Sequence, residues 1–202
     1  MPGGRILHLG KRLLCPAEHL ANHDIGRQTV PIYALGTQVP SIDPAAFVHP
    51  DAVVIGAVTI GPESTVWPQV VLRGDYGQIT IGARTSIQDG TVIHATVHLP
   101  TVIGDDCVVG HLAHLEGCVV ESGALIGSGS IVLHRAVVRR HALVAAGAVV
   151  TPDTEVPEQA MARGVPAKIV ADAVQAGHTD LTVAGYVANG HRYRSELRRL
   201  DT

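Results

Sequence analysis

From Val53 onward the apolar positions recur six apart. Val54 and Ile60, Ile81 and Ile87, then Ile103, Val109 and Leu115, then Val120, Ile126, Val132, Val138, Val144 and Val150 mark the repeat. Small residues often follow them: Gly56, Gly61, Gly82, Gly104, Gly110, Gly127 and Ala145. Neither an amphipathic helix nor a simple meander has this period. A six-residue period predicts an all-β solenoid, a parallel β-helix of hexapeptides. Each hexapeptide gives one short strand and one turn, its aliphatic residue points to the axis, and three close a triangular coil. Hydrogen bonds then run between coils, and the aliphatic residues stack in rows. One step departs from the repeat. Leu115 to Val120 is five residues, so one side of a coil is shortened there.

The repeat ends in "TPDTEVPEQAMARGVPAK", where Pro152, Pro157 and Pro166 act as breakers. The tail "VAGYVANGHRYRSELRRLDT" reads as a helix, with Tyr186, Val187, His191, Tyr193, Leu197 and Leu200 near helical spacing. Gly190 weakens that helix. A bare β-helix has exposed edges that need covering, so the helix is expected to lie along the outside of the coil. The predicted organisation is an N-terminal extension over 1–30, a β-helix over 31–168 and a helical segment over 169–202. The extension lacks the compact apolar core of a secretory signal and is expected to be poorly ordered.

Composition supports a layered core. Hydrophobic residues make up 46% of the chain but aromatics only 3%, with 22 glycines. Val, Ile, Leu and Ala therefore fill many thin, similar layers. The net charge of −3 offers no case for nucleic acid or an anionic membrane as partner. No window approaches the roughly 18 unbroken apolar residues of a spanning helix. Cys15, Cys107 and Cys118 are odd in number and form no CxxC pair, which fits a reducing cytoplasm. Cys107 and Cys118 read as small buried apolar residues.

A β-helix is a scaffold, so function must come from residues that break the repeat. "LRGDYG" places Arg73 and Asp75 directly after an aliphatic strand, and "IQDGTVIHA" adds Gln88, Asp89 and His94. "VVGHLAHLEGC" adds His111, His114 and Glu116 within six residues. Leu115 points inward in this register, so His114 and Glu116 both point outward, about 6.5 Å apart along the strand. His98, His134 and His141 are expected on outer faces or turns, and Trp67 in interface or core packing.

The run from Val66 to Ala95, followed by Thr101 to Cys118, resembles the gamma-class carbonic anhydrase family. The resemblance covers roughly residues 31 to 170, including "GVPAK" at Gly164 to Lys168, and the tail is similar as well. It implies a left-handed β-helix, a homotrimer, and a zinc or iron ion (Zn2+ or Fe2+) held by three histidines at each subunit interface. It also implies carbon dioxide and bicarbonate as substrates. By position, His94 and His111 match the first two metal histidines. Arg73 and Asp75 match a pair that ties subunits together and shapes the site. Gln88 matches the residue that hydrogen-bonds the activated water, and Asp89 one that helps hold the interface.

The third ligand departs from the family pattern. The family phrase G-H-x-x-x-x-H-G-C has a histidine where this chain has Glu116, while Gly117 and Cys118 keep the register. The loop "ATVHLP" also carries no carboxylate, unlike the acidic loop of the family's best-studied enzymatic form. The residues leave three arrangements open. Glu116 can be the third ligand, since two histidines and a glutamate form a known zinc set. His114 can bind instead, with Glu116 as its partner or as a general base. Or Glu116 pairs with a histidine or a neighbour's Arg73, and no ion binds. The corresponding functions are a carbonic anhydrase-like lyase, a non-catalytic trimeric scaffold, and, ranked lowest, a hexapeptide acyltransferase.

Overall fold

The computed structural model describes residues 30–201. The extension expected over 1–30 lies outside them but for Val30, and so does Cys15. Short strands stack coil upon coil in parallel register. The final pair, Met161–Arg163 against Lys168–Val170, is antiparallel and closes the stack. This is the parallel β-helix that the six-residue period predicts, with the C-terminal helix that the spacing of the tail predicts.

Three buried rows form the core. Val54, Leu72, Ile93, Leu115, Val132 and Val150 pair in sequence down one row. Ile60, Ile81, Ile103, Val120, Val138 and Val156 make the second. Val66, Ile87, Val109, Ile126, Val144 and Ala162 make the third. None of these side chains is more than 1% exposed. β-Branched residues dominate because stiff, branched side chains suit a strand buried against identical neighbours.

A regular coil is eighteen residues long, as in the pairing of Ile126 with Val144. Three adjacent coils depart from that length. Val66 pairs with Ile87, twenty-one residues on, in the coil that carries Arg73 and Asp75. Ile87 pairs with Val109, twenty-two residues on, because the loop 95–100 is inserted and closes on itself between Thr96 and Leu99. Val109 pairs with Ile126, seventeen residues on, because the step from Leu115 to Val120 is short. The coils that depart from the repeat are the ones that carry the polar cluster.

The helix runs Asp180–Glu196. It starts three residues before the stretch predicted for it and stops before Leu197 and Leu200, which stay solvent-exposed. The chain's one Phe and one Trp meet it: Trp67 lies 5.0 Å from the Tyr193 ring, 5.8 Å from Tyr186 and 5.6 Å from Phe47. Arg194 donates to the Ala46 carbonyl. Gly190 weakens the helix in isolation but is buried here. A Cβ at that position would sit 2.7 Å from Thr65 Cγ2. The glycine lets the helix approach the coil closely, and that contact offsets its poor helix propensity.

Candidate metal centre

Arg73, His94 and Glu116 stand one above another on three successive coils. Strand register pairs Arg73 with His94 and His94 with Glu116. Each follows a buried core residue (Leu72, Ile93 and Leu115), so alternation along the strand turns all three outward. Asp75 and His114 lie two residues from Arg73 and Glu116, on the same face. The repeat therefore turns residues distant in sequence into near neighbours.

Side-chain contacts centre on His94. Its Nε2 lies 2.9 Å from Asp75 Oδ1 and its Nδ1 2.8 Å from Glu116 Oε1. Arg73 donates to the other Asp75 oxygen at 2.5 Å. His114 Nε2 is 3.5 Å from Glu116 Oε2, and His134 Nε2 is 3.6 Å from Glu116 Oε1. A neutral imidazole donates from only one nitrogen, so His94 donates to both carboxylates only as imidazolium. The His94 hydrogen bond holds the Glu116 carboxyl below its ordinary range against the opposing effect of burial, with the charges of His94, His134 and His114 adding to it. Burial pushes the Asp75 carboxyl up, but hydrogen bonds from Arg73 and His94 bring it below the ordinary value.

His111 occupies the turn between strands Val108–Val109 and His114–Glu116. Its Nδ1 lies 2.9 Å from Asp89 Oδ2 on the turn of the preceding coil, and both side chains are about half exposed. Gln88, beside Asp89, is 5% exposed. Tyr186 reaches this corner from the helix. Burial and the Asp89 charge raise its hydroxyl above the ordinary value, against a smaller contribution from Gln88. Among the described residues, no three His, Cys, Asp or Glu side chains of the single chain are arranged to hold an ion. The structure thus gathers Arg73, Asp75, His94, His114 and Glu116 on one face, and Gln88, Asp89 and His111 at a corner.

Do these residues fit zinc or iron? Two imidazoles and a carboxylate are an accepted donor set. Ligating histidines commonly present the second ring nitrogen to a carboxylate, which fixes the tautomer and the ring plane. His94 presents Nε2 to Asp75 and His111 presents Nδ1 to Asp89, which leaves His111 Nε2 for an ion, whereas His94 Nδ1 is held by Glu116 and has to release it to bind one. The donor chemistry fits. Sequence reasoning left His134 outside the site; the five-residue step beside it was the available signal.

The coil and its outward polar face define a hexapeptide-repeat protein. No protein-family model matches the chain. It is 41% identical over 159 residues to "Gamma carbonic anhydrase 2, mitochondrial" of Arabidopsis thaliana, covering 76% of this chain and 55% of that protein. It is 36% identical over 138 residues to "Carnitine operon protein CaiE" of Escherichia coli K12, covering 68% of this chain and 70% of that protein. The chain belongs to the gamma carbonic anhydrase family of hexapeptide-repeat proteins. The match spans about half the length of the Arabidopsis relatives. Among solved structures, a Bacillus cereus protein described as a putative acetyltransferase superposes with a TM-score of 0.78 at 32% identity, covering 82% of this chain and 98% of that one. A hexapeptide transferase family protein from Anaplasma phagocytophilum gives 0.76 at 33% identity, covering 83% and 99%.

Proposed function

We propose that the protein is a homotrimeric metalloenzyme that reversibly hydrates carbon dioxide to bicarbonate. His94 and Glu116 of one protomer and His111 of the next would hold Zn2+ or Fe2+ between them. The observation that carries this reading is the pairing of each histidine with its own aspartate, His94 with Asp75 and His111 with Asp89. The trimer is supported by exposed apolar side chains beside these groups: Leu112, next to His111, is 72% exposed, and Tyr76, whose ring meets that of His94 edge-on, is 64% exposed.

When bound, the ion would supply Lewis acidity that makes water a nucleophile near neutral pH. The chain's residues do the rest. Asp75, held by Arg73, fixes the His94 ring, and Asp89 fixes His111. Gln88, backed by Tyr186, orients the attacking water. Glu116 is the third donor, and His114 stands beside it as its partner. A cytoplasmic setting goes with this reading, since Cys107 and Cys118 are unpaired and buried. Among the described residues, no helix is long and apolar enough to cross a membrane.

Purified protein stripped of metal and reloaded with zinc or with ferrous iron tests the proposal. A metal-dependent rate of carbon dioxide hydration is expected. An intact trimer with no rate above background in either form sinks the enzymatic reading. Under about one ion per three chains would instead make the protein a scaffold. The names of the two solved relatives favour a second reading, acyl transfer, with His94 as general base. Stabilisation by coenzyme A and not by metal would select it.

A further inference from the structure

The shortened coil gives Glu116 a neighbour that the repeat alone would not supply. The coil that carries Glu116 has no residue equivalent to His134. Between Leu115 and Val120 there are four residues, and between Val132 and Val138 in the next coil there are five. Arg135 N–H bonds the Gly117 carbonyl, and Val119 N–H bonds the Ala136 carbonyl. His134 is therefore the extra residue of the longer turn, and its ring folds over the gap in the shorter one. Gly117, at φ +60°, keeps that gap open. A Cβ there would sit 2.8 Å from His134 Cδ2 and 2.9 Å from Leu99 Cβ.

The backbone fixes this presentation on both sides. Asp153 N–H bonds the His134 carbonyl at 3.1 Å, and Arg135 grips the Asp153 carboxylate at 2.6 and 2.8 Å. His134 Nε2 is buried and has no hydrogen-bond partner among the described residues. It faces Glu116 Oε1 at 3.6 Å, the same oxygen that His94 Nδ1 holds at 2.8 Å. A buried polar nitrogen without a partner is costly, and such orphans are uncommon. Here the missing partner is one the site can provide. The His94 nitrogen cannot both hold Glu116 and bind an ion.

The geometry assigns His134 as a positioning residue: its Nε2–H takes over the Glu116 carboxylate when His94 turns to the metal. His134 is not itself a ligand. It orients the carboxylate that replaces the family's third histidine. This rests on the metal reading above.

The test is zinc affinity, measured by competition with a chelator on the assembled wild-type protein and on the variants H134A and H134Q. Melting of the metal-free forms is followed in parallel. H134A is expected to bind zinc about 10- to 100-fold more weakly, as when such supporting partners are removed. H134Q keeps an N–H donor and is expected to recover most of the loss, with metal-free melting alike in all three. Wild-type protein that holds no zinc overturns the metal reading and this inference together. Wild-type protein that holds zinc, with H134A holding it as tightly, overturns the role of His134 alone. Equal weakening in H134A and H134Q also overturns it, because the donated N–H is then not what matters.

Discussion

As a third donor, Glu116 would bring an anionic group to a position where the family motif has a neutral one. A carboxylate offsets part of the ion's charge, which weakens the acidification of water on which the chemistry depends. Replacing Glu116→His is therefore expected to raise metal-dependent hydration on the order of tenfold, the scale on which ligand surroundings tune such sites. Stopped-flow measurement on metal-replete protein decides it, and an unchanged or lower rate argues against Glu116 as the third donor. The cysteines behave oppositely, as inert packing. Cys107 and Cys118 are at most 1% exposed, and burial pushes both thiols up to about 12. Thiolate is the reactive form, so neither is expected to alkylate in native protein at neutral pH. Peptide mapping after iodoacetamide should find both modified only after unfolding; rapid native labelling of either would contradict the packed core.

Among the elements, the helix depends most on one contact. Gly190→Ala would gain helix propensity of about 1 kcal/mol in isolation. Here the new methyl meets Thr65 Cγ2, and Thr65 cannot turn freely because its hydroxyl accepts from Trp67 Nε1 at 3.0 Å. The substitution is expected to lower stability, and Thr65→Ser, which removes only that methyl, to restore it. A double-mutant cycle in denaturant should show coupling of about 1 kcal/mol; additive effects would exclude the contact. Elsewhere an ion-pair ladder joins three coils: Arg139 bonds Glu121 at 2.8 Å and Glu155 at 3.0 Å. The Arg139 hydrogen bond holds the Glu121 carboxyl below its ordinary value. A depressed carboxyl contributes stability above the unfolded value, and the contribution is lost as pH falls through the folded one. The melting-temperature gap between wild type and Glu121→Gln should therefore be open at pH 6 and shrink toward pH 3. These elements differ in how far they can be read from the chain. Val120 to Val150 declare their coils because each rung repeats a local pattern. His134 did not declare its role, because that depends on a residue missing from the coil beneath it. Gly190 reads as a flaw until the surface it touches is known.

At the scale of the whole molecule, the proposed division of donors between protomers makes a prediction that a self-contained site does not. His94 and Glu116 lie on one face of the coil, and His111 lies on a neighbouring turn held by Asp89. If each ion bridges protomers, the two histidines of any one chain serve different sites. Trimers made only of His94→Ala chains lack one donor at every interface, and so do trimers made only of His111→Ala chains. In mixed trimers some interfaces pair the His94 and Glu116 of one variant with the His111 of the other, and all three donors are present. In a cyclic trimer every mixed ring has one complete interface, so about one third of the interfaces are complete once unmixed trimers are removed. Co-expressed chains carrying different tags, purified through both, should therefore recover bound zinc and hydration that neither variant shows alone. A site contained within one protomer gives no recovery at any mixing ratio, because every chain then carries a broken set. The same preparation also weighs the acyl-transfer reading. Coenzyme A stabilisation that survives in both single variants and is indifferent to mixing would place the chemistry away from these histidines.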